Sequence, residues 1–238
     1  MIKLVTFDLW NTLFENKSYR DLRLYYFTQY LTKSQISYSL KAVNNAFNKI
    51  FHLYDGNLKN NNYRHIYTRE RISRLLKALN INITQSHCKK IEIQFEEIML
   101  QDPPFLKIGV KRTLRDLSES YNIGLISNTG ITPGHIIRKI FTKYNIDKYF
   151  KFTIFSDETG FYKPNPIMFE AALNKLKCKP QDAIHIGDLL ETDIKGAQES
   201  NILTIWINDS NSPKLKEIQP DYEIHQIYDA VPLIRGIM

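Results

Sequence analysis

The stretch Leu4-Val5-Thr6-Phe7-Asp8-Leu9-Trp10-Asn11-Thr12 runs apolar and β-branched side chains up to a carboxylate and then into turn-compatible residues. Such a run reads as a short buried strand over 3–7, and the density of turn formers over 8–14 ends it. Two later stretches repeat the arrangement. Ile123-Gly124-Leu125-Ile126 ends at Ser127-Asn128, and Ala183-Ile184-His185-Ile186 ends at Gly187-Asp188, with Asp193 one turn further on. A fourth apolar run, Phe152-Thr153-Ile154-Phe155, precedes Lys163-Pro164-Asn165-Pro166, where two prolines restrict the backbone around the lysine. Chemically active groups at the ends of strand-like runs are expected to meet at one edge of a parallel sheet.

Between these runs the period changes. From 110 to 228 the pattern predicts helices over 110–121 and 133–144, one starting near Pro166 and one after Asp193, between strands over 123–126, 152–155, 183–186 and 203–207. Tyr222-Glu223-Ile224 offers a last strand. Strands alternating with helices of this length argue a parallel sheet covered on both faces. The segment over 19–100 is different: Leu22, Tyr26 and Tyr30, then Leu40, Val43, Phe47 and Ile50, then Ile72, Leu75 and Leu79, then Ile91, Phe95 and Ile98 recur at three or four residues. That spacing predicts about four amphipathic helices, interrupted by Asp55-Gly56-Asn57 and Lys59-Asn60-Asn61-Asn62. Gln101-Asp102-Pro103-Pro104 punctuates the return.

With 238 residues, 43% hydrophobic and 24% charged, the chain can bury a sizeable core and reads as an ordinary globular protein. No stretch approaches the roughly 20 apolar residues a membrane span needs. The apolar start is too short for a signal peptide, so a cytoplasmic location is expected. Cys88 and Cys178 have no zinc-like spacing and read as structural thiols. The formal charge of +7 is spread along the chain without a nucleic-acid-binding motif, which favours small phosphorylated metabolites over nucleic acid as partners.

A carboxylate at the end of a first strand can attack an electrophile and form an ester or acyl-phosphate that water later hydrolyses, although capping a turn is the commoner role of a lone Asp. Asp188 delivered beside Asp8 would repel it unless a divalent cation lay between them, and an all-oxygen site suits magnesium. Ser127 and Asn128 can cradle a phosphoryl oxygen at a helix N-terminus, or form a routine turn. His185, inside a strand, reads as a hydrogen-bonded sheet residue.

In this order the four stretches resemble the haloacid dehalogenase superfamily of hydrolases, over 1–14 and about 105–228, with the remainder matching only as a helical insertion. The resemblance implies an α/β fold: a doubly wound, Rossmann-like core formed by 1–14 and 101–238, with a helical cap domain over 15–100. It makes Asp8 the nucleophile, Ser127 and Lys163 catalytic partners, and Thr12 and Asn128 contacts of the substrate. It also implies Mg2+ held by Asp8, the Trp10 backbone carbonyl and Asp188, with Asp193 behind them. One departure accompanies the match. Where the superfamily's phosphatases carry a second Asp as acid and base, this chain has Trp10, and indole can do neither job. A magnesium-dependent phosphatase, a 2-haloacid dehalogenase and a slow binding or regulatory protein all remain compatible with that loss. Tyr19, Arg20, Arg23, Tyr25, Tyr26, Arg64, His65, Arg69 and Arg71 are available in the helical segment to read a substrate.

Overall fold

Six parallel strands make one sheet in the order β3-β2-β1-β4-β5-β6. They are β1 (Leu4–Phe7), β2 (Asn122–Ser127), β3 (Phe150–Phe155), β4 (Ala183–Gly187), β5 (Leu203–Ile207) and β6 (Tyr222–Ile224). The computed structural model describes residues 1–51, 59, 61–213 and 215–237. The Asp55-Gly56-Asn57 interruption and Asn60 lie outside the described residues.

The strands β1 and β4 are buried along their whole length because both faces of the sheet are covered, and alternate residues serve opposite layers. Val5 and Phe7 join Ile123, Leu125, Ile184 and Ile186 in the larger apolar cluster. Helices α5 (Val110–Ser118), α6 (Gly134–Tyr144) and α10 (Ala230–Gly236) close it through Leu114, Leu117, Ile137, Ile140, Phe141 and Ile234. Leu4, Ile126, Ile154 and Ala183 point the other way, against Met168, Phe169 and Ala172 of α8 (Pro166–Leu176) and Ala197 of α9 (Lys195–Glu199). Each such aliphatic side chain contributes roughly 1.5–3 kcal/mol on burial. The expected helix near Pro166 starts there because Asn165 accepts the Ile167 N–H at 3.0 Å and proline fills the first turn, where no N–H is needed.

The stretch after β1 carries helices α1 (Arg20–Lys33), α2 (Leu40–Phe51), α3 (Thr68–Ala78) and α4 (Gln85–Gln101). Phe27, Leu31, Val43, Phe47, Ile72, Leu75, Ile91 and Phe95 form an apolar cluster of their own, filled by edge-on aromatic contacts such as Phe27–Phe95 and Phe47–Phe95. This helical layer is nevertheless stitched to the core, most closely at the loop before α8. Tyr162 N–H donates to the Tyr63 carbonyl at 2.7 Å, and His65 N–H to the Gly160 carbonyl at 2.8 Å. Asn165 Nδ2 reaches the Asn62 carbonyl at 3.1 Å. The His65 ring, buried, lies 3.1 Å from the Ser156 hydroxyl in α7 (Ser156–Thr159).

Periodicity does not mark α10 or the short α7, because elements of seven and four residues present no repeating apolar face. Both cysteines are free. No helix among the described residues is long and apolar enough to cross a membrane.

Candidate active site

β1 is central, and the chain leaves it toward β2 and β3 on one side and β4 to β6 on the other, so a crevice opens beyond its carboxyl end. Asp8 is the first residue past β1, held by its N–H to the Ile186 carbonyl at 2.8 Å. Ser127 and Gly187 end the two neighbouring strands, and the loop before α8 brings in Lys163.

Lys163 and Asp193 are almost wholly buried, and Asp8 is 6% exposed. The Lys163 ammonium donates to Asp8 Oδ1 at 2.6 Å and to the Ile126 carbonyl at 2.8 Å, and its third proton faces Asp193 Oδ1 at 2.7 Å. Asn128 fixes the loop that delivers it: Asn128 Oδ1 accepts the Lys163 N–H at 2.7 Å, and Nδ2 donates to the Lys163 carbonyl at 3.3 Å. Asp193 Oδ2 accepts the Leu189 N–H at 3.0 Å, so both of its oxygens are engaged. That position depends on Gly187, because a Cβ there would lie 2.4 Å from Asp193 Oδ2. A wide π turn at Leu190–Ile194 leads from it into α9.

The electrostatics follow from this crowding. Burial pushes the Asp8 carboxyl up to about 6; Lys163 opposes the rise and Asp193 adds to it. Asp188, deprived of water and facing Asp8 and Asp193, is pushed up to about 8. Burial also works against the Asp193 anion, but the ammonium of Lys163 overrides it and holds the carboxyl well below its usual range. Burial likewise opposes the Lys163 cation, yet Asp193 and Asp8 together raise its pKa. His185 Nδ1 sits 2.9 Å from the Thr6 hydroxyl, and its Nε2 lies 3.9 Å from Asp193 Oδ1, too far for a hydrogen bond. Burial keeps this ring neutral by lowering its pKa.

One oxygen from each of Asp8, Asp188 and Asp193 lies within 4.8 Å of the others. Of these, Asp8 retains the oxygen that Lys163 does not hold, and Asp188 is met by the Asn11 amide at 3.3 Å. Burial raises both acids, Asp8 adds to the rise of Asp188, and a pair of this kind fits a hard divalent cation. Asp193, already satisfied, fits the supporting position behind them.

These groups floor a cavity of about 460 Å³, together with Trp10, Asn11 and Asn128. Its opposite wall comes from Lys17, Tyr19, Arg23 and Met99 of the helical segment. Trp10 is pinned by its Nε1–H, which donates to the Asn128 carbonyl at 3.2 Å. Ser127 and Thr12 are fully buried and do not line this cavity: Ser127 Oγ donates to the Asn128 carbonyl at 3.3 Å, and Thr12 Oγ1 has no hydrogen-bond partner among the described residues. Among the residues available in the helical segment, Tyr19, Arg23, His65 and Arg71 are buried, whereas Tyr25, Arg64 and Arg69 are exposed. Periodicity did not single out Asn11, Lys17 or Thr132. Asn11 had a local signal, since it adopts a left-handed φ of 56° that asparagine tolerates well.

A stability measurement tests this electrostatic account. Without metal, Asp8 and Asp188 titrate above their unfolded values near 4, so between those limits the native state holds protons that the unfolded chain has released. Stability therefore falls as pH rises through that window. Thermal melts of EDTA-treated protein from about pH 5 to about pH 9 are expected to show a declining Tm, and added magnesium to flatten the decline by replacing the lost protons. A Tm in EDTA that does not change over that range would refute the coupling of Asp8 and Asp188.

The geometry and the sequence agree with one lineage. The family model for haloacid dehalogenase-like hydrolases matches residues 2–201, and the chain belongs to that family. It is similar to the glyceraldehyde 3-phosphate phosphatase of Methanothermobacter thermautotrophicus, 39% identical over 97 residues that cover 40% of this chain and 42% of that protein. The chain thus spans less than half the length of this curated relative. Among solved structures it resembles a 2-haloacid dehalogenase from Pseudomonas syringae pv. Tomato DC3000, with a TM-score of 0.74, 22% identity and 99% of each chain covered. It also resembles the HAD-hydrolase YfnB of Bacillus subtilis, solved bound to magnesium, with a TM-score of 0.67, 20% identity and 98% of each chain covered. At these identities the two structures speak for the fold alone.

Proposed function

We propose that this chain is a magnesium-dependent phosphatase that hydrolyses small phosphate monoesters through a phosphorylated Asp8. The observation that carries the reading is the buried chain Asp8–Lys163–Asp193 with the Asp188 carboxylate opening onto the same cavity. Asp8 Oδ2 attacks phosphorus, the bond from phosphorus to the ester oxygen breaks, and the alkoxide or aryloxide departs with the electron pair and takes its proton from water. Water then attacks phosphorus, releasing phosphate and restoring the carboxylate. Lys163 holds Asp8 ionised and in place and offsets the charge brought by the phosphoryl group. Ser127 stands at the end of β2, where a turn of its hydroxyl away from the Asn128 carbonyl would present a donor to the transferred group. Thr12 supports the turn beneath Asp8, and Asn128 acts on the substrate side chiefly by holding Lys163. Magnesium, held by Asp8, Asp188 and the Trp10 carbonyl, supplies positive charge that screens the carboxylates from the phosphoryl oxygens. Residues 15–100 serve as a cap that excludes water from the cavity.

The partners this reading implies are small phosphorylated metabolites, with no role for nucleic acid or membrane. Trp10 favours a second reading, a 2-haloacid dehalogenase, because a halide leaves without being protonated. The acidic pair at Asp8 and Asp188 weighs against it, since carbon–halogen hydrolysis needs no cation. A screen of phosphate esters with and without EDTA, run beside a 2-haloacid assay, separates the two. Phosphate release abolished by EDTA supports the phosphatase; halide release indifferent to EDTA overturns it. Absence of either turnover would leave a binding protein.

Trp10 also sets the expected substrate profile. With no acid beside the leaving oxygen, acyl and aryl phosphates are expected to be hydrolysed much faster than alkyl phosphates. Trp10→Asp is expected to flatten that dependence and to raise the rate on alkyl esters by up to about 10². A shallow leaving-group dependence in the unmodified protein would show that another residue already supplies the proton.

A further inference from the structure

Two buried arginines, Arg23 on the Asp8 cavity and Arg71 on the cavity beside it, have no carboxylate partner among the described residues. Arg23, in α1, uses Nε on the Phe95 carbonyl at 3.0 Å and one terminal nitrogen on the Thr132 hydroxyl at 3.0 Å, while its other terminal nitrogen makes no hydrogen bond among the described residues. Its guanidinium carbon lies 5.6 Å from the centre of the Tyr19 ring. Arg71, in α3, donates to the Ile66 and Ile50 carbonyls, each at 3.3 Å, and to the Tyr162 hydroxyl at 3.2 Å. The more exposed cations nearby are different: Lys17 pairs with Asp102, and Arg20 with Asp21.

Arg23 faces two spaces at once. One is the cavity over Asp8; the other is an adjoining cavity of about 250 Å³. The described wall of the second holds four cations, Lys17, Arg20, Arg23 and Arg71, and no acid, with Phe47 and Phe51 as its apolar side. A positive field of this kind is costly to bury unless an anion arrives to complete it. Burial, with Arg71 adding to it and Tyr19 opposing it, pulls the Arg23 guanidinium down to about 10, the direction expected of a cation awaiting a counter-charge. The terminal nitrogen of Arg23 that these bonds leave over can donate to a carboxylate or phosphate oxygen.

We propose that the substrate carries, beside the phosphoryl group over Asp8, a second anionic group, carboxylate or phosphate, that seats against Arg23 in the adjoining cavity. This rests on the phosphatase reading of the Asp8 cavity. Arg23 binds the distal anion, Arg71 supplies field behind it, and the rings of Phe47 and Phe51 pack on the carbon skeleton between the two ends. Monoesters with a neutral distal end leave the cationic wall uncompensated and react more slowly at equal concentration.

The test compares kcat/KM for matched pairs in the magnesium-loaded protein. Phosphoglycolate against its amide is the carboxylate arm, and propane-1,3-diol bisphosphate against the monophosphate is the phosphate arm. The charged member is expected to win by at least about thirtyfold in one arm, and Arg23→Gln to bring that ratio to within about threefold of one, with Arg23→Lys keeping part of it. Ratios near one in both arms of the unmodified protein would overturn the proposal, and so would an Arg23→Gln variant that slows both members of a pair alike. The ratio in the unmodified protein decides the matter even if a variant does not fold. Phosphate release from p-nitrophenyl phosphate with flat ratios overturns only the second-anion site. Absence of release from every ester overturns the phosphatase reading and this proposal with it.

Discussion

Asp8→Asn is expected to remove turnover by about 10⁴-fold or more while the protein stays folded, since the loss of a reacting group of this kind has effects of that size elsewhere. The exchange is nearly isosteric and keeps an oxygen for the Lys163 ammonium, which stands 2.6 Å from Oδ1 in the unmodified protein. It takes away only the charge and the nucleophilic lone pair that would form the phosphoryl bond. A cooperative melt like that of the unmodified protein, with phosphate release at background, is the expected pair of results. A folded variant that kept most of its activity would make Asp8 structural and remove the chemistry proposed for the site.

Lys163→Met is expected to cost both stability and activity. It withdraws the one ammonium between Asp8 and Asp193 and leaves two buried carboxylates facing each other, a break that costs about 3–5 kcal/mol at neutral pH. A Tm lowered by about 10 °C follows for a chain of this size. Turnover is expected to fall by about 10²–10³, the effect of losing one charge-stabilising donor. The pH dependence has a definite sign. In the unmodified protein the depressed Asp193 pKa gives stability that is present above about pH 4, the unfolded value, and is lost as pH falls through the folded one. The variant lacks that contribution, so the gap between the two proteins narrows in acid. A gap in Tm that did not change between pH 7 and about pH 4 would show that Lys163 stabilises by packing and not by charge.

The site's floor was legible because each acidic or hydroxyl residue ends a run of β-branched side chains, and parallel strands deliver such ends to one edge. Asp8, Ser127 and Asp188 could be placed by that rule, and the sheet around them with it. Its roof was not legible. Arg23 and Arg71 could read a substrate or sit on a solvated or a core helix face, and only the packed tertiary structure shows that no acid among the described residues lines the cavity with them. The same limit hid the uses of Ser127 and Asn128. A hydroxyl and an amide at a strand end can face a ligand or a neighbouring carbonyl with equal ease, and here both are turned to the backbone. Trp10 was visible as a departure from the phosphatase pattern, but its bond to the Asn128 carbonyl joins positions 118 apart in sequence and has no local signature.

The stitching of Tyr63 and His65 to Gly160 and Tyr162 bears on how this protein could be rebuilt. The helical insertion has an apolar cluster of its own, which invites its excision or exchange for the insertion of a relative. Excision would strip the Lys163 loop of the backbone partners that hold Gly160, Tyr162 and Asn165 on their outer side. A shortened protein would keep its sheet and lose the alignment of its ammonium. A chimera is expected to work only when the junctions are drawn so that residues 62–66 and 160–165 come from the same parent. The heritable unit of this site is therefore a pair of distant loops, and recombination that separates them breaks the chemistry without breaking the fold.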